Sequence, residues 1–223
     1  MQQSFFGKTH WQHRFSYGGT LRQRRAGRGA RPLSCREPVH LVLKASREKI
    51  RPGFRTYKRF ALVHFILRKY AIRFFIKIEQ VSIQGDHIHL LIRTTRRSNY
   101  QNFFRVFAGQ IAQRFEKEGL LTISNEQQTQ PARSRAQAKV TGTPAATSNG
   151  PITTVTGTPR GQRKSTKGLW RHRPFSRVVR GWRAYKIVRD YIQLNEKEAL
   201  GDIPYRKARL RGLSNREWQI LWT

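Results

Sequence analysis

Short apolar runs and two helical patterns alternate in the first half of the chain. Residues 38–43 alternate apolar and polar positions, which predicts a first strand. Residues 55–70 carry apolar side chains at a helical period with Lys and Arg between them, which predicts an amphipathic helix. Residues 72–83 are β-branched and aromatic and predict a second strand, whereas residues 98–115 repeat Phe or Ile at three and four positions and predict a second helix facing a core.

A hairpin is predicted directly after the second strand. Gly85 and Asp86 form a turn dipeptide between two β-rich runs. On the strand after this turn, His87 and His89 point to the same face, while Ile88 points to a core. Two imidazoles about 6.5 Å apart on one strand can share a metal ion once a third group arrives from elsewhere. A half-buried strand with two outward polar residues is the alternative, and Asp86 could either orient a histidine or serve only the turn.

The second half of the chain begins with a long stretch that has no core pattern. Residues 116–168 contain no Phe, Tyr or Trp, and the pentapeptide VTGTP occurs twice. Such a segment cannot bury enough apolar surface to fold alone, so we predict a disordered insertion. Beyond it, the pattern predicts a short strand near residues 175–179 and a third helix over residues 182–200. A capping box of Ser214 and Glu217 predicts a short C-terminal helix.

The charge of the chain narrows the functional classes. Its 45 Lys and Arg residues against 12 Asp and Glu residues give a net charge of +33, which predicts a polyanionic partner because neutralised phosphates release counterions. Acidic residues are too scarce for the carboxylate cluster that binds two hard metal ions, so metal chemistry would have to use histidine and amide ligands. We find no apolar run near the ~18 residues of a membrane helix and no signal-peptide pattern. The single cysteine, Cys35, fits a reducing cytoplasm, where we expect the chain to associate with the nucleoid.

The N-terminal region is basic throughout. Its first 33 residues hold seven Lys or Arg residues and no acid, which predicts a flexible basic arm suited to phosphate backbones. A tail without a specific role is the alternative. The candidate phosphate contacts in this arm are Arg22, Arg24, Arg25 and Arg28.

The third predicted helix carries a phenol and an amide on one face. Tyr191 and Asn195 are four residues apart and therefore neighbours. A phenol that attacks phosphorus, one turn from an amide oxygen that binds a polarising metal, is a coherent catalytic arrangement. A packing tyrosine and a helix-end asparagine are the alternative. Tyr185 is a rival nucleophile, but it lies on a different face and has no amide one turn further on.

Together these motifs resemble a known family. The strand with His87, Ile88 and His89 and the helix segment DYIQLN at residues 190–195 resemble the single-tyrosine HUH transposases, and most closely the REP-associated tyrosine transposases. Residues 170–180 resemble the Trp-containing strand of that family, although Arg177 replaces a frequent histidine. Glu196 stands where the family often has proline.

The resemblance implies a single-stranded DNA transposase on a ferredoxin-like α+β fold, with a small antiparallel sheet and helices packed on one face. It implies that His87, His89 and Asn195 hold one divalent cation, Mg²⁺ or Mn²⁺. Tyr191 would attack the scissile phosphate and form a 5′-phosphotyrosine. The implied partner is single-stranded DNA with hairpins, and some relatives form homodimers. Further candidate nucleic-acid contacts are Trp170, His172 and Arg173.

We therefore expect an insertion to divide the catalytic domain. The expected segments are a basic arm over 1–37, two catalytic segments over 38–115 and 169–201, the insertion over 116–168, and a C-terminal tail over 202–223. A non-catalytic, domesticated basic nucleic-acid-binding protein is the alternative function, since the charge alone would support it. An HUH replication initiator or relaxase is a third hypothesis, but such proteins commonly use three clustered histidines, which this sequence lacks around His87.

Overall fold

The computed structural model describes residues 15–19, 30–122 and 168–223, which form an α+β domain around one antiparallel sheet. Its strands are β1 (Ser16–Tyr17), β2 (Val39–Lys44), β3 (Lys77–Ile83), β4 (His87–Arg93) and β5 (Phe175–Val178), in the order β1-β5-β2-β4-β3. The helices are α1 (Tyr57–Arg73), α2 (Arg97–Lys117), α3 (Trp182–Leu200) and α4 (Asn215–Trp222), and a 3-10 helix spans Arg209–Gly212. The predicted α+β class with an antiparallel sheet is confirmed. None of the helices in these three ranges has the length and hydropathy needed to cross a bilayer.

The main core lies between one face of the sheet and helices α1 and α2. Leu41 on β2 and Leu90 on β4 are paired across the two strands and fully buried. On α2, Phe103 and Phe107 are also fully buried, and their rings stack with centroids 5.2 Å apart. Burial of one such side chain stabilises the fold by about 1.5–3 kcal/mol. The aromatic stripe predicted on this helix therefore holds α2 against the sheet.

Helix α3 covers the opposite face of the sheet. Val188 and Ile192 on α3 pack against Leu91 on β4 and Val179. Because successive side chains in a strand alternate, Leu91 points away from the main core. His89 lies two residues before Leu91 and shares its face. The helices thus occupy both faces, which corrects the expectation that they pack on one face, and α3 lies on the face that carries the predicted histidine pair.

The C-terminal residues pack against the outer side of α3. Leu194 on this helix forms a small buried cluster with Ile203, Leu210 and Leu221. The predicted capping box is present at the start of α4, where the Ser214 hydroxyl accepts a hydrogen bond from the backbone N–H of Glu217. The segment after α3 is therefore part of the folded domain.

Part of the predicted basic arm joins the sheet. Ser16 and Tyr17 pair with β5 and cover its outer edge. Arg31 donates from Nη1 to the Ser176 hydroxyl at 2.9 Å and lies 4.7 Å from the centre of the Tyr17 ring. These contacts place residues 15–19 and 30–37 on the domain, which corrects the expectation of a free arm over 1–37. Pairing of this edge also removes exposed backbone donors and acceptors from β5.

The strand predicted over 72–83 starts later than expected. Helix α1 continues to Arg73, and β3 begins only at Lys77. Ala71 is buried against the main core, so packing keeps this β-branched run helical for one more turn.

The domain also extends beyond the predicted start of the insertion. Helix α2 ends at Lys117 rather than at residue 115. The carbonyl of Leu120 accepts hydrogen bonds from the buried Arg59 guanidinium, with Nε at 3.0 Å. Residues 116–122 consequently belong to the packed domain, and residues 123–167 lie outside the described residues.

The chain leaves and re-enters the domain beside one loop. The backbone N–H of Thr122 donates to the carbonyl of Lys49 at 2.9 Å. The backbone N–H of Ser46 donates to the carbonyl of Leu169 at 2.8 Å. The loop between β2 and α1 therefore anchors both points.

Candidate active site

The turn between β3 and β4 is fixed by a close approach of two backbones. The Gly85 carbonyl accepts a hydrogen bond from the backbone N–H of Phe54 at 2.8 Å. Gly53 has a φ of 134°, and a Cβ there would lie 2.9 Å from the Gly85 oxygen. Only glycine fits this position without strain. The contact holds the start of β4, and β4 begins at His87.

The two predicted histidines share one face, as expected. The ring centroids of His87 and His89 are 4.8 Å apart, and Ile88 between them is buried in the main core. His87 Nδ1 lies 2.5 Å from Asp86 Oδ1, so the imidazole donates to the carboxylate and Nε2 remains for another partner. Asp86 also accepts from Arg47 Nε at 2.8 Å, and these two partners lower the pKa of its carboxyl. Asp86 therefore both forms the turn and orients a histidine.

His89 is held by a second histidine that the sequence did not single out. His89 is 1% exposed, and its Nδ1 lies 3.1 Å from Nε2 of His40 on β2. Among the described residues, His89 Nε2 has no hydrogen-bond partner although it is buried. If His89 donates from Nδ1 to His40, its Nε2 carries a free lone pair, which is the state that a metal ligand requires. A single histidine inside an apolar strand gave no sequence signal for this role.

The two buried histidines predict an acid-sensitive fold. Burial, with a smaller effect of Arg177, lowers the pKa of His40 to about 4, and burial lowers the pKa of His89 in the same direction. Both rings therefore bind protons more readily in the unfolded chain than in the folded chain. Their contribution to the free energy of unfolding is fully present above about pH 6.5, and it is lost as the pH falls through the pKa of the folded state. In EDTA, we expect the free energy of unfolding to fall by on the order of 3 kcal/mol from His40 alone between pH 7 and pH 4. Urea titrations at several pH values measure it.

The control for this pH dependence is a half-exposed histidine. His40→Phe should flatten the pH dependence, whereas His172→Ala should change it much less, because the lowered pKa of His172 comes from only partial burial. Equal slopes for His40→Phe and wild type would contradict the assignment to His40.

Tyr191 and Asn195 lie on the face of α3 that meets the histidines. The Tyr191 ring stands edge-on to the His89 ring, with 5.8 Å between centroids. The backbone carbonyl of Asn195 accepts a hydrogen bond from Nε2 of Gln84 on the hairpin at 2.5 Å. Asn195 is 6% exposed, and its Nδ2 has no partner among the described residues. The Tyr191 ring thus stands beside His89, and the backbone of Asn195 contacts the hairpin that leads into His87.

Contacts around residue 196 hold α3 in this position. Glu196 Oε2 accepts from the backbone N–H of Ile83 at 3.1 Å, and Oε1 accepts from Arg55 Nη1 at 3.0 Å. One turn earlier, Gln193 hydrogen-bonds Gln80 on β3. Glu196 therefore ties the helix to the end of β3.

Arg209 brings a guanidinium to the same place. It donates to both carboxylate oxygens of Glu198, at 2.8 and 2.7 Å, and to Asn195 Oδ1. Its guanidinium carbon lies 5.2 Å from the centre of the Tyr191 ring. Arg209 has a left-handed φ of 56°, a conformation that costs a non-glycine residue about 1–3 kcal/mol, so these contacts hold it in a strained position. Sequence reasoning missed this residue because basic residues are abundant throughout the chain.

The donor atoms suit a single cation that accepts nitrogen and amide ligands. His87 and His89 each keep Nε2 available, and Asn195 Oδ1 has a second lone pair beside the one that Arg209 uses. In the described ranges, no group of three or more His, Cys, Asp or Glu side chains could hold a metal ion. A metal at the paired histidines would therefore need the amide as its third protein ligand, which fits one ion rather than a two-metal carboxylate site.

The rival tyrosine lies elsewhere on α3. Tyr185 stacks on Trp182 with 5.3 Å between ring centroids and packs with the cluster around Leu91. Burial and the nearby Glu79 carboxylate raise the pKa of Tyr185, which disfavours its phenolate. This environment makes Tyr185 a weaker candidate than Tyr191.

The predicted nucleic-acid contacts have different locations. Trp170 packs against Phe54 in the main core, and its Nε1 donates to the Ala108 carbonyl at 2.9 Å, so it is a packing residue rather than a platform for bases. His172 is half-buried and Arg173 is exposed. The candidate arm residues Arg22, Arg24, Arg25 and Arg28 lie outside the described residues.

Comparison with known proteins supports the fold. No protein-family model matches the chain, and no curated protein matches it. Among solved structures, the chain is similar to a REP-associated tyrosine transposase bound to a REP hairpin. The alignment covers 89% of this chain and 92% of that chain, with 12% sequence identity and a TM-score of 0.50. The chain therefore shares the fold of that structure, which agrees with the fold that the sequence resemblance implied.

Proposed function

We propose that this chain is a metal-dependent, single-tyrosine transposase that cleaves and rejoins single-stranded DNA near hairpins. The observation that carries the proposal is the contact of the Tyr191 ring with His89, whose Nε2 is buried without a partner among the described residues, together with Arg209, which lies beside Tyr191 and hydrogen-bonds Asn195 Oδ1. The similar structure contains a transposase with a DNA hairpin, and the net charge of +33 suits a polyanionic substrate.

In this proposal, Tyr191 is the nucleophile. Its phenolic oxygen attacks the scissile phosphorus, the bond from phosphorus to the 3′ oxygen breaks, and the products are a 5′-phosphotyrosine and a free 3′-OH. Attack by another 3′-OH on the phosphotyrosine rejoins the strands without ATP. The Arg209 guanidinium lies beside the ring of this nucleophile.

The proposed cation ligands are His87, His89 and Asn195. A bound Mg²⁺ or Mn²⁺ would act as a Lewis acid on the scissile phosphate, and imidazole ligands favour Mn²⁺ over Mg²⁺. Asp86 and His40 act as positioning residues, because each hydrogen-bonds the Nδ1 atom of one histidine and so directs its Nε2 towards the cation.

Substitution of His40 tests this positioning role. His40→Phe removes the partner of His89 Nδ1, and we expect the dissociation constant for Mn²⁺ to rise about 10–100-fold. His40→Gln can accept the same hydrogen bond and should recover much of the affinity. Mn²⁺ titrations followed by electron paramagnetic resonance give the values, with His172→Ala as the matched control. Equal losses for the Phe and Gln variants would show that His40 acts only through packing.

Isolation of a covalent complex tests the proposed function itself. The full chain is incubated with Mn²⁺ or Mg²⁺ and a randomised pool of hairpin-bearing single strands already selected for binding. We expect mass spectrometry to find a nucleotide linked to Tyr191. Bound strands that never form an adduct would instead support a non-catalytic nucleic-acid-binding protein. One contact also favours this second function: Arg209 hydrogen-bonds Asn195 Oδ1 and so occupies one lone pair of a proposed metal ligand.

A further inference from the structure

Helix α1 presents apolar side chains to solvent along one stripe. Tyr57 is 88% exposed, Phe65 57% and Ile72 79%. With the exposed residues Ala61 and Arg68, these positions recur every three or four residues, so they follow one another along a single helix face. Exposed aromatic and aliphatic groups in a continuous row indicate a surface that binds a partner.

The charge around this stripe identifies the chemistry of that partner. The sequence of α1, YKRFALVHFILRKYAIR, contains no acidic residue. Lys58, Arg68, Lys69 and Arg73 are all exposed on it. Aromatic groups interleaved with cations suit a single-stranded nucleic acid, whose bases stack on the rings while its phosphates contact the cations.

A shallow and open depression, here called the α1 cleft, lies midway along the stripe. Its described lining residues all belong to this helix: Phe60, Ala61, His64, Phe65, Arg68 and Lys69. The rings of Phe60 and His64 are in contact, with centroids 4.6 Å apart. Burial and the neighbouring Arg68 lower the pKa of His64, so the ring is neutral at pH 7 and offers an uncharged aromatic surface.

This cleft is connected to the candidate active site by a short chain of side chains. Glu196 follows the proposed ligand Asn195 on α3 and binds the Arg55 guanidinium at 3.0 Å. The Arg55 guanidinium carbon lies 5.6 Å from the centre of the Phe60 ring, which lines the cleft. These contacts run around the edge strand β3, so a DNA strand with its phosphate at the active site would cross that edge to reach the cleft.

We propose that the α1 cleft binds the single-stranded DNA that flanks the cleaved phosphate. One or two unpaired bases stack on Phe60, His64 and Phe65, and the adjoining phosphates contact Arg68 and Lys69. This inference rests on the proposed function. It adds a second DNA contact beyond the proposed cation and nucleophile.

The test compares hairpin strands with and without single-stranded flanks, bound to the full chain in EDTA and followed by fluorescence anisotropy. Each flank, 5′ and 3′, is added separately. We expect Phe65→Ala to weaken binding of one flanked strand about tenfold and to leave the unflanked hairpin unchanged. Leu200→Ala is the matched control, because Leu200 is exposed to the same 57% on another helix.

Salt dependence tests the phosphate contacts. The double variant of Arg68→Ala and Lys69→Ala should reduce the slope of log affinity against log salt by about 1.4 for the flanked strand. The double variant of Arg105→Ala and Lys117→Ala removes equal charge from the exposed surface of α2 and should change the slope much less.

The proposal is overturned if Phe65→Ala and Leu200→Ala bind both DNAs alike. It is also overturned if Phe65→Ala abolishes self-association or a protein contact without changing DNA affinity. A Tyr191 adduct that still forms in these cases would leave the proposed function intact. Conversely, loss of flank binding in Phe65→Ala, with no adduct from any DNA, would support the cleft and contradict the catalytic role of Tyr191.

Discussion

Replacement of Tyr191 by phenylalanine is expected to abolish covalent attachment of this chain to single-stranded DNA while leaving DNA affinity unchanged. The substitution removes only the phenolic oxygen, so the ring keeps its packing beside Ile192 and its edge-on contact with His89. Loss of a covalent nucleophile should lower adduct formation by at least about 10⁴-fold. Gel assays with end-labelled strands measure the adduct, and anisotropy measures binding.

Tyr185→Phe provides the matched control, because it removes a phenol from the same helix. Tyr185 packs against Trp182 rather than against the histidines, so its variant should form the adduct at the wild-type rate. An adduct that persists in Tyr191→Phe, or that disappears only in Tyr185→Phe, would refute the assignment of the nucleophile.

Removal of His87 is expected to have the second-largest effect. The side chain of His87 is 26% exposed, so His87→Ala should leave the core intact. Substitution of a residue that only orients a metal ligand lowers metal affinity about 10–100-fold. Loss of a ligand itself should therefore raise the Mn²⁺ dissociation constant by more than about 100-fold. Adduct formation should fall in parallel and recover partly at high Mn²⁺ concentration.

Two further variants separate ligand loss from local disturbance. Asp86→Asn keeps the His87 ring but weakens its orientation, so its Mn²⁺ affinity should lie between wild type and His87→Ala. His172→Ala should bind Mn²⁺ as wild type does. Unchanged Mn²⁺ affinity in His87→Ala would show that the paired histidines do not hold the cation.

The sequence was sufficient for features that depend on local periodicity. Alternation along β4 placed His87 and His89 on one face, and the four-residue spacing placed Tyr191 beside Asn195 on α3. The turn at Gly85 was equally local. These patterns need no knowledge of tertiary packing, because strand and helix geometry alone relate the residues.

Features that depend on long-range contacts could not be predicted. His40 and His89 are 49 residues apart and meet only because β2 and β4 pair. Arg209 reaches Asn195 through a left-handed backbone conformation that no sequence pattern indicates. Trp170 was a candidate nucleic-acid contact but packs against Phe54, since tertiary burial decides the role of an aromatic side chain.

The loop between β2 and α1 binds both Thr122 and Leu169 through backbone hydrogen bonds. These hydrogen bonds fix the two points at which the polypeptide leaves and re-enters the domain. A short linker or a foreign protein inserted between these points should therefore leave the proposed cation ligands, the Tyr191 phenol and the α1 cleft in place.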